Sequence, residues 1–250
     1  MNITPKINVA YIASREEVDR VLFMEEWLAN EGLPFERSNG VVVDNAQLVS
    51  AYDVKKRLDR YGFGMTASEV GCFLAHRNCW LKSVKSQLPL LVLESDVRPA
   101  TLGELGKLLV EIEEHIDTFD MVRLHGIFER NECLSRPIRE LSSGHTIVQT
   151  LGDPMGAGAY IITPHAAAKL LQKSESFYEP LDVFISHTWF HKLRFRGVKP
   201  YPFQVADFPS VIGEDRRRPS QNVIQRLRIE LNRASDDLKR VLYMPTHFFR

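Results

Sequence analysis

Two carboxylates directly follow a short apolar run in this chain, and this arrangement constrains the fold more than any other stretch. The segment reads Leu90-Leu91-Val92-Leu93-Glu94-Ser95-Asp96-Val97. A short, continuous apolar run is typical of a strand that is buried on both faces of a parallel sheet. Because such a strand excludes charges, we expect Glu94 and Asp96 at its carboxyl end, the edge at which open α/β sheets bind their ligands.

The spacing of the two carboxylates indicates the kind of ligand. Side chains at positions i and i+2 of an extended chain point to the same side, so two such carboxylates can hold a hard divalent cation. A cation held in this way usually also takes phosphate oxygens of a substrate. The segment therefore predicts a site for a nucleotide or a nucleotide sugar. The alternative interpretation is an acidic surface turn that binds nothing.

Composition narrows the class of protein. The chain has 250 residues, 44% of them hydrophobic, which suffices for one domain or two small ones with a packed core. Its formal net charge is zero, which gives no argument for nucleic acid as a partner. The three cysteines lack paired spacing, which argues against a disulfide framework or a structural zinc site. Without a signal-peptide pattern or a run of about 20 apolar residues, we expect a soluble intracellular protein.

Predicted strands alternate with predicted helices along most of the chain. This alternation indicates an α/β fold with a mainly parallel central sheet and helices on both faces. Helix starts are expected at Ser14, as a cap, and at two capping boxes, Thr66 to Glu69 and Thr101 to Glu104. Residues 126–150 are expected to form a loop or a short hairpin. The predicted strands are Ile7–Ile12, Phe35 through Val41-Val42-Val43 to Asp44, Leu90–Glu94, Phe119–Leu124 and Gly156–Ile162, and further helices are expected from Pro164 and over 181–193.

The last segment differs from the rest, so we divide the chain into a domain of residues 1–215 and a basic helical segment of residues 216–250. Its charged residues are mostly arginine and lysine, and Val223, Leu227, Leu231 and Leu238 recur at helical spacing. The simpler interpretation is a helix docked on the domain with a solvated basic face. The alternative is a basic amphipathic helix that meets anionic lipid.

Four segments occur in an order that resembles glycosyltransferase family 25, which includes bacterial lipooligosaccharide galactosyltransferases and the related collagen galactosyltransferases. The family pattern is G-E-x-G-C-x-x-S-H, then E-D-D-V, then G-x-x-G-Y, then P-V-D. Pro180-Leu181-Asp182 matches the last of these, and the resemblance covers roughly residues 7–213. The four segments are Val9 to Glu16, Thr66 to His76, Leu93 to Val97 and Gly156 to Ile162.

Two positions depart from the family pattern. Ser95 stands where the acidic motif usually has its middle aspartate, although the outer Glu94 and Asp96 are kept. Ala75 stands where the family usually has a serine beside His76. The first departure weakens the expectation of a metal site without removing it, and the second leaves any role of that serine hydroxyl unfilled.

The resemblance implies both a fold and an activity. It implies a single GT-A-like (Rossmann-like) domain, followed here by the C-terminal helical tail. The implied reaction is an inverting, metal-dependent transfer, usually with Mn²⁺, of a sugar such as galactose from a UDP-sugar to a saccharide hydroxyl. The implied acceptor is a lipid-linked saccharide of lipopolysaccharide or lipooligosaccharide. Such an enzyme would be cytoplasmic, in peripheral contact with the inner face of the cytoplasmic membrane.

Four acidic residues are candidates for the chemistry. A metal held by Asp96 with help from Glu94 would neutralise the charge on a leaving diphosphate. Asp207 follows a strand-like run and is our candidate third ligand. Asp182 is our candidate catalytic base, which takes the proton of the acceptor hydroxyl. The alternative for Asp182 is a carboxylate that only stabilises a helix N-terminus.

Candidate donor contacts come from strand ends in the predicted sheet. Ser14 and Arg15 follow the first strand and would line the nucleotide pocket. Asp44 would accept a hydrogen bond from uracil or ribose, and Arg123 ends a strand on the ligand side. His76 would touch the diphosphate or the donor sugar, and its alternative is a core histidine.

Small and turn-forming residues near the third motif have two interpretations. Gly156 and Gly158 let the backbone approach the donor closely, or they serve tight packing. Asp153 binds an acceptor hydroxyl, or it forms a turn before Pro154. His187 and His191 are four residues apart and could bind a metal, but Thr188 replaces the glutamate of a zinc protease motif.

Two other functions are compatible with these motifs. One is a sugar-nucleotide- or glycan-binding module of the same fold that has lost its chemistry, an idea motivated by Ser95. The other is a nucleotidyltransferase on an α/β sheet. Release of UDP from a sugar donor, binding without turnover, and release of pyrophosphate would distinguish the three.

Overall fold

An eight-stranded sheet forms the centre of the computed structural model, which describes residues 5–14, 16–126, 135–150, 156–206, 208 and 223–248. The strands are β1 (Asn8–Ala13), β2 (Phe35–Asn39), β3 (Leu90–Glu94), β4 (Val97–Pro99), β5 (Met121–Arg123), β6 (Ser135–Glu140), β7 (Thr146–Thr150), β8 (Ala159–Ile162), β9 (Phe195–Lys199) and β10 (Phe203–Val205). The helices are α1 (Val18–Asn30), α2 (Val54–Tyr61), α3 (Ala67–Ser86), α4 (Leu105–Glu113), α5 (Pro164–Lys173), α6 (Leu181–Ser186), α7 (Thr188–His191) and α8 (Val223–Phe248).

The strand order of the large sheet is β2-β1-β3-β8-β5-β9-β7-β6. β1 is parallel to β2 and β3, β5 is parallel to β9, and β8 is antiparallel to both β3 and β5. β6 and β7 form an antiparallel hairpin, one of the two forms expected for residues 126–150, and β7 is antiparallel to β9. All strands of this sheet except β8 and β7 therefore run in one direction. The predicted α/β fold with a mostly parallel sheet is confirmed, and β4 pairs separately with β10.

Two apolar cores lie on opposite faces of this sheet, which explains the continuous apolar run in β3. Leu91 and Leu93 join one core with apolar residues of α1 and α4. Leu90 and Val92 join the other core with residues of α3, α5 and α6. Each buried leucine contributes about 1.5–3 kcal/mol relative to an exposed one. Because Glu94 continues the Leu90 and Val92 face, its side chain points toward α3.

The first capping box forms as predicted and fixes the start of α3. The Thr66 hydroxyl accepts a hydrogen bond from the Glu69 N–H at 3.1 Å, and the Glu69 carboxylate accepts one from the Thr66 N–H at 2.9 Å. One turn further, Gly71 lets the backbone of Val41 pack against the helix, since a Cβ at Gly71 would lie 2.3 Å from the Val41 carbonyl oxygen. The strand predicted over Val41 to Val43 is wrong, because β2 ends at Asn39 and this segment packs on α3 instead.

Two predicted helix caps are also wrong. Ser14 does not cap α1, because its N–H donates to the Glu17 carboxylate at 2.7 Å and the helix begins at Val18. The second capping box does not form at α4. Its role is taken by Glu31, whose carboxylate accepts hydrogen bonds from the N–H groups of Gly103 and Leu105 at 2.6 and 3.0 Å. Glu31, which is distant in the sequence, therefore caps the start of α4 in place of the predicted local capping box.

The segment 181–193 forms two short helices, α6 and α7, that meet at His187. Helix α8 lies against α2 and α7 by its polar face. There the Asn232 side chain donates to the Arg60 carbonyl at 2.7 Å, Asp236 pairs with Arg60, and the Arg240 guanidinium lies over the Trp189 ring at 5.4 Å.

The C-terminal segment is a helix docked on the domain, as the simpler interpretation predicted. That interpretation is wrong about which side of the helix makes the contact, because the polar side does. The apolar positions Val223, Leu227, Leu231 and Leu238 point to solvent. Within the described residues, none of the helices combines the length and apolar character that crossing a membrane requires.

Candidate active site

The acidic motif lies at the carboxyl end of β3 as predicted, although the chain turns after Glu94 and does not stay extended through Asp96. Glu94 is the last residue of β3, and Ser95 and Asp96 form the turn into β4. The Glu94 N–H donates to the Gly158 carbonyl at 2.8 Å, so this end of β3 is tied to the segment before β8. Because β1, β3 and β5 run in the same direction, Ser14 and His125, which follow β1 and β5, lie at the same edge of the sheet.

A hydrogen-bonded chain of three buried side chains orients Glu94. The Trp80 indole lies 3.0 Å from the Tyr160 hydroxyl, which lies 2.8 Å from His76 Nδ1, and His76 Nε2 lies 3.2 Å from Glu94 Oε1. The indole can only donate and an ionised carboxylate can only accept, so both ends set the same direction. In the neutral imidazole, Tyr160 donates to Nδ1 and Nε2–H donates to Glu94.

The two carboxylates have opposite pKa shifts. Burial would raise the pKa of Glu94, but the hydrogen bond and charge of His76, with His125 and Arg20, lower it overall. Burial and the neighbouring charge of Glu94 raise the pKa of Asp96 to about 6. Glu94 is therefore ionised at neutral pH, and Asp96 carries a charge that its surroundings do not fully compensate. A cation bound between them would relieve this repulsion.

Ser95 is accommodated by two charged residues of the β1–α1 region. Its hydroxyl lies 3.5 Å from the Glu17 carboxylate and 3.4 Å from the Arg20 guanidinium, and Glu17 and Arg20 also pair with each other at 3.1 Å. A hydroxyl donates to the acid and accepts from the base. An aspartate in this position would set a second negative charge against Glu17. The serine hydroxyl therefore fits between Glu17 and Arg20 without adding a charge.

Three side chains at this edge have the spacing of metal ligands. Ligand atoms of Cys72, His76 and Glu94, which we call the sheet-edge cluster, lie within 4.8 Å of one another. Burial, followed by the charges of Glu94 and Asp182, raises the pKa of the Cys72 thiol well above its usual value. A protonated thiol is a poor ligand for such a cation. A hard divalent cation prefers carboxylate oxygens, which only Glu94 supplies within this cluster, with His76 behind it; Asp96 is a further carboxylate near by but not a member of the cluster.

Asp182 lies in the first turn of α6, as expected for our candidate base. It is half-buried, and its Oδ1 accepts a hydrogen bond from the Val183 N–H at 2.9 Å. Leu181 and Phe184 of α6 belong to the same apolar core as Leu90 and Val92, so Asp182 lies on the side of the sheet that Glu94 faces. The charge of Asp182 also raises the pKa of the Cys72 thiol. Arg123 is 1% exposed and donates to the Ser186 hydroxyl at 3.3 Å. Since Ser186 donates to the Asp182 carbonyl at 2.7 Å, Arg123 supports this helix.

The structure separates the other predicted donor contacts. Ser14 lies at the ligand edge, whereas Asp44 is exposed in the loop after β2 and does not end a strand. His76 is 1% exposed and uses both ring nitrogens within the protein, so its geometry orients Glu94 rather than reaching a donor. Gly156 is buried with a φ of 90°. Arg15, Asp153 and Asp207 lie outside the described residues.

Gly158 fits the packing interpretation. A Cβ at this position would lie 2.9 Å from both His125 Nδ1 and Val97 Cγ1. The missing side chain therefore makes room for His125, which sequence reasoning did not single out. His125 is 5% exposed, and its Nδ1 has no hydrogen-bond partner among the described residues. Burial lowers its pKa, so a neutral imidazole with an unused nitrogen lies beside the carboxylates.

A second group has ligand spacing but a different character. Ligand atoms of Glu179, His187 and Asp236, which we call the helix cluster, also lie within 4.8 Å of one another. Tyr61 donates to Glu179 at 2.6 Å, His187 Nδ1 lies 3.0 Å from Glu179, and the Arg60 guanidinium pairs with both carboxylates. The guanidinium already supplies the positive charge that a metal would bring.

The idea that His187 and His191 bind a metal from one helix face is wrong. The helix breaks at His187, whose ring faces Glu179. The His191 ring is buried, with Nε2 2.9 Å from the Ile185 carbonyl oxygen and Nδ1 3.2 Å from the Leu193 N–H. Both ring nitrogens of His191 are therefore used inside the core.

Comparison with known proteins identifies the family. The model of glycosyltransferase family 25, described as an LPS biosynthesis protein, matches residues 8–185. The chain therefore belongs to this family of glycosyltransferases, as the ordered motifs indicated. No curated protein sequence gives a significant match.

Two solved structures are distantly similar to the chain. One is a putative glucose-1-phosphate thymidylyltransferase from Bacillus anthracis in complex with a sucrose, at 10% identity and a TM-score of 0.37 over 75% of this chain and 66% of that one, just under two thirds of its length. The other is apo UDP-glucose pyrophosphorylase, at 10% identity and a TM-score of 0.37 over 93% and 99%. At this level of similarity neither indicates an activity for this chain.

Proposed function

We propose that this glycosyltransferase is a metal-dependent, inverting enzyme that moves a hexose, galactose in the first instance, from a UDP-sugar to a saccharide hydroxyl. The acceptor we propose is a lipid-linked saccharide of lipopolysaccharide or lipooligosaccharide at the inner face of the cytoplasmic membrane. The observation that carries the proposal is the ionised, oriented Glu94 with Asp96 beside it at the ligand edge of the sheet. Family membership supports the reaction class.

Glu94 and Asp96 would hold the divalent cation, with Asp207 as the proposed third ligand. When bound, Mn²⁺ or another divalent cation supplies positive charge against a leaving diphosphate. The protein's contribution is orientation, because the hydrogen bonds from Trp80 through Tyr160 and His76 hold Glu94 in one direction and in its charged form.

Asp182 is the proposed catalytic base. Inversion in one displacement requires a carboxylate that takes the proton of the acceptor hydroxyl while its oxygen attacks the anomeric carbon. Asp182 is half-buried at the start of α6, and its charge acts on the Cys72 thiol, as the charges of Glu94 and Asp96 do. The bond from Arg123 to Ser186 would keep α6 in position during this step.

Other residues would bind the donor and the acceptor. Ser14 and Arg15 are proposed to line the nucleotide pocket, and the unused nitrogen of His125 is available to a polar atom of either substrate. Gly156 leaves room for the donor. Asp44 is proposed to contact uracil or ribose, and Asp153 is proposed to bind an acceptor hydroxyl.

A screen of UDP-sugars for UDP release, with Mn²⁺ and with EDTA, tests the proposed function. We expect UDP release from one hexose donor in Mn²⁺ and none in EDTA. Binding of UDP without turnover of any donor would contradict the enzyme and favour a binding module. Release of pyrophosphate in place of UDP would identify a nucleotidyltransferase.

A further inference from the structure

Helix α8 exposes an unusual amount of apolar surface. Six side chains, each 56% to 81% exposed, form what we call the apolar stripe: Val223, Leu227, Leu231, Leu238, Val241 and Leu242. They recur at spacings of three, four and seven residues, which places them along one side of the helix. A contiguous exposed apolar surface of this kind is rare on a monomeric protein and marks an interaction surface.

The stripe cannot be buried by simply rolling the helix onto the domain. The opposite side of α8 is already fixed by the Asn232 hydrogen bond to Arg60, the pair of Asp236 with Arg60, and the stacking of Arg240 on Trp189. Ile229, on this docked side, is buried. Turning the stripe inward would break all of these contacts.

Charge indicates what covers the stripe. Residues 216–250 contain nine Lys and Arg and three Asp and Glu, a charge of +6, so the neutral chain carries −6 over residues 1–215. On α8 itself the acidic residues are internally paired, Glu230 with Arg233, Asp236 with Lys239 and Asp237 with Arg240. Arg226 and Arg228 form no ion pair with other described residues. Two such segments of charge +6 would repel each other, whereas an anionic surface would attract one.

We propose that the apolar stripe of α8 inserts into the interface of an anionic phospholipid bilayer, with the helix lying in the plane of the membrane. An amphipathic helix of this composition binds through its buried apolar area and through attraction of Lys and Arg to anionic headgroups. The negative domain faces away from the lipid, and only the C-terminal segment approaches it. The helix lies on the membrane without crossing it.

The position of α8 suggests a role for membrane contact in catalysis, and this role rests on the proposed function. α8 contacts α7 through Trp189, and α7 directly follows α6, which carries Asp182. If α8 lies at the membrane surface, it would therefore hold α7, and with it the helix α6 that carries Asp182, close to the lipid-linked acceptors.

Cosedimentation with vesicles tests the proposal. We expect the full chain to bind vesicles of phosphatidylcholine with about 30% phosphatidylglycerol at least roughly tenfold more tightly than pure phosphatidylcholine, and to lose this preference in high salt. The triple variant L227Q/L231Q/L238Q should bind the anionic vesicles about tenfold or more weakly. The matched control is Leu102→Gln, which changes a 67% exposed leucine outside α8 and should bind like the wild type.

Three results would overturn the proposal: absence of binding to anionic vesicles, equal binding by the triple variant, or a dimer in sedimentation velocity that the triple variant dissociates. The last would assign the stripe to a second copy of the chain. Circular dichroism checks that the variants fold, as expected for exposed positions. Vesicle binding needs no donor, so its failure is distinguishable from failure of the UDP-sugar activity, which the triple variant should retain as metal-dependent donor hydrolysis.

Discussion

In the part of the chain that the structure describes, the sheet-edge cluster and the helix cluster both bring a histidine and a carboxylate to metal-ligand spacing, yet they differ in charge. The helix cluster contains its own cation, since Arg60 pairs with Glu179 and Asp236. At the sheet edge, burial and then the neighbouring charge of Glu94 raise the pKa of Asp96 to about 6. Ligand spacing alone therefore does not separate a metal site from a structural network, and we propose the balance of charge as the property that does.

The largest expected effect is at the sheet edge. Asp96→Ala should abolish metal-dependent UDP release, a loss of roughly 10³-fold or more, because it removes one of the two oxygen donors for the cation. Calorimetry should also show weaker UDP binding in Mn²⁺. Asp236→Asn, the corresponding change in the helix cluster, should leave UDP binding in Mn²⁺ unchanged. Retained activity in Asp96→Ala would remove our metal assignment.

Asp182→Asn should reduce the turnover number by about 10²–10⁴-fold, the usual cost of losing a general base. Donor affinity should change little, since the amide keeps the size of the side chain. Steady-state kinetics with the preferred UDP-sugar, together with calorimetry for UDP, separates the two quantities. A turnover number near that of the wild type would exclude Asp182 as the base.

In the helix cluster the expected effect is on stability. Arg60→Met should lower the free energy of unfolding by about 2 kcal/mol, because Glu179 and Asp236 lose the cation that compensates them. Urea unfolding measures this change. Mn²⁺ affinity should remain that of the wild type. A clear loss of Mn²⁺ affinity would contradict a purely structural role of the helix cluster.

Tyr160→Phe tests the orienting chain at the sheet edge. Without the hydroxyl, His76 Nδ1 has lost its donor and Glu94 is held less firmly, so Mn²⁺ affinity should fall about tenfold. Calorimetric titration with Mn²⁺ measures it. Unchanged affinity would mean that the chain from Trp80 to Glu94 serves packing only.

The smallest effect concerns pH. Burial would raise the pKa of Glu179, but the hydrogen bonds and charges of His187, Tyr61 and Arg60 lower it overall. A carboxyl whose pKa is lowered in the folded state stabilises the fold at pH values above its ordinary pKa of 4.5. This stability is lost as the pH falls from 4.5 through the lowered folded-state pKa. Urea unfolding at pH 7 and pH 4 should therefore show a smaller difference for Glu179→Gln than for the wild type. Equal differences would contradict the pairing.

Local signals predicted much of the fold. The apolar run of β3 and the capping box of α3 both act over a few neighbouring residues, and both formed as expected. The cap of α4 was missed because Glu31 reaches it from more than 70 positions away. Val41 to Val43 has the composition of a strand, but its packing against Gly71 is set by tertiary contact.

The site was predictable to a similar extent. Glu94 and Asp96 could be singled out because they lie two positions apart, directly after an apolar run. Trp80 and His76 are four residues apart on a predicted helix, so their shared face was visible, but nothing local joined them to Tyr160. Arg20, in the first turn of α1, and His125, after β5, become neighbours of the acidic motif only when the ends of β1, β3 and β5 meet at one edge. The exposed side of α8 could not be predicted either, since periodicity shows that a helix has two faces but not which one is docked.

The position of Ser95 between Glu17 and Arg20 has a consequence for the family as a whole. Acidic residues at both positions 17 and 95 would repel each other. We therefore expect relatives with an acidic residue at 95 to carry a neutral one at 17. This covariation would sort homologous sequences into two groups. It also provides a design rule: exchanging both residues together should be tolerated where exchanging one is not.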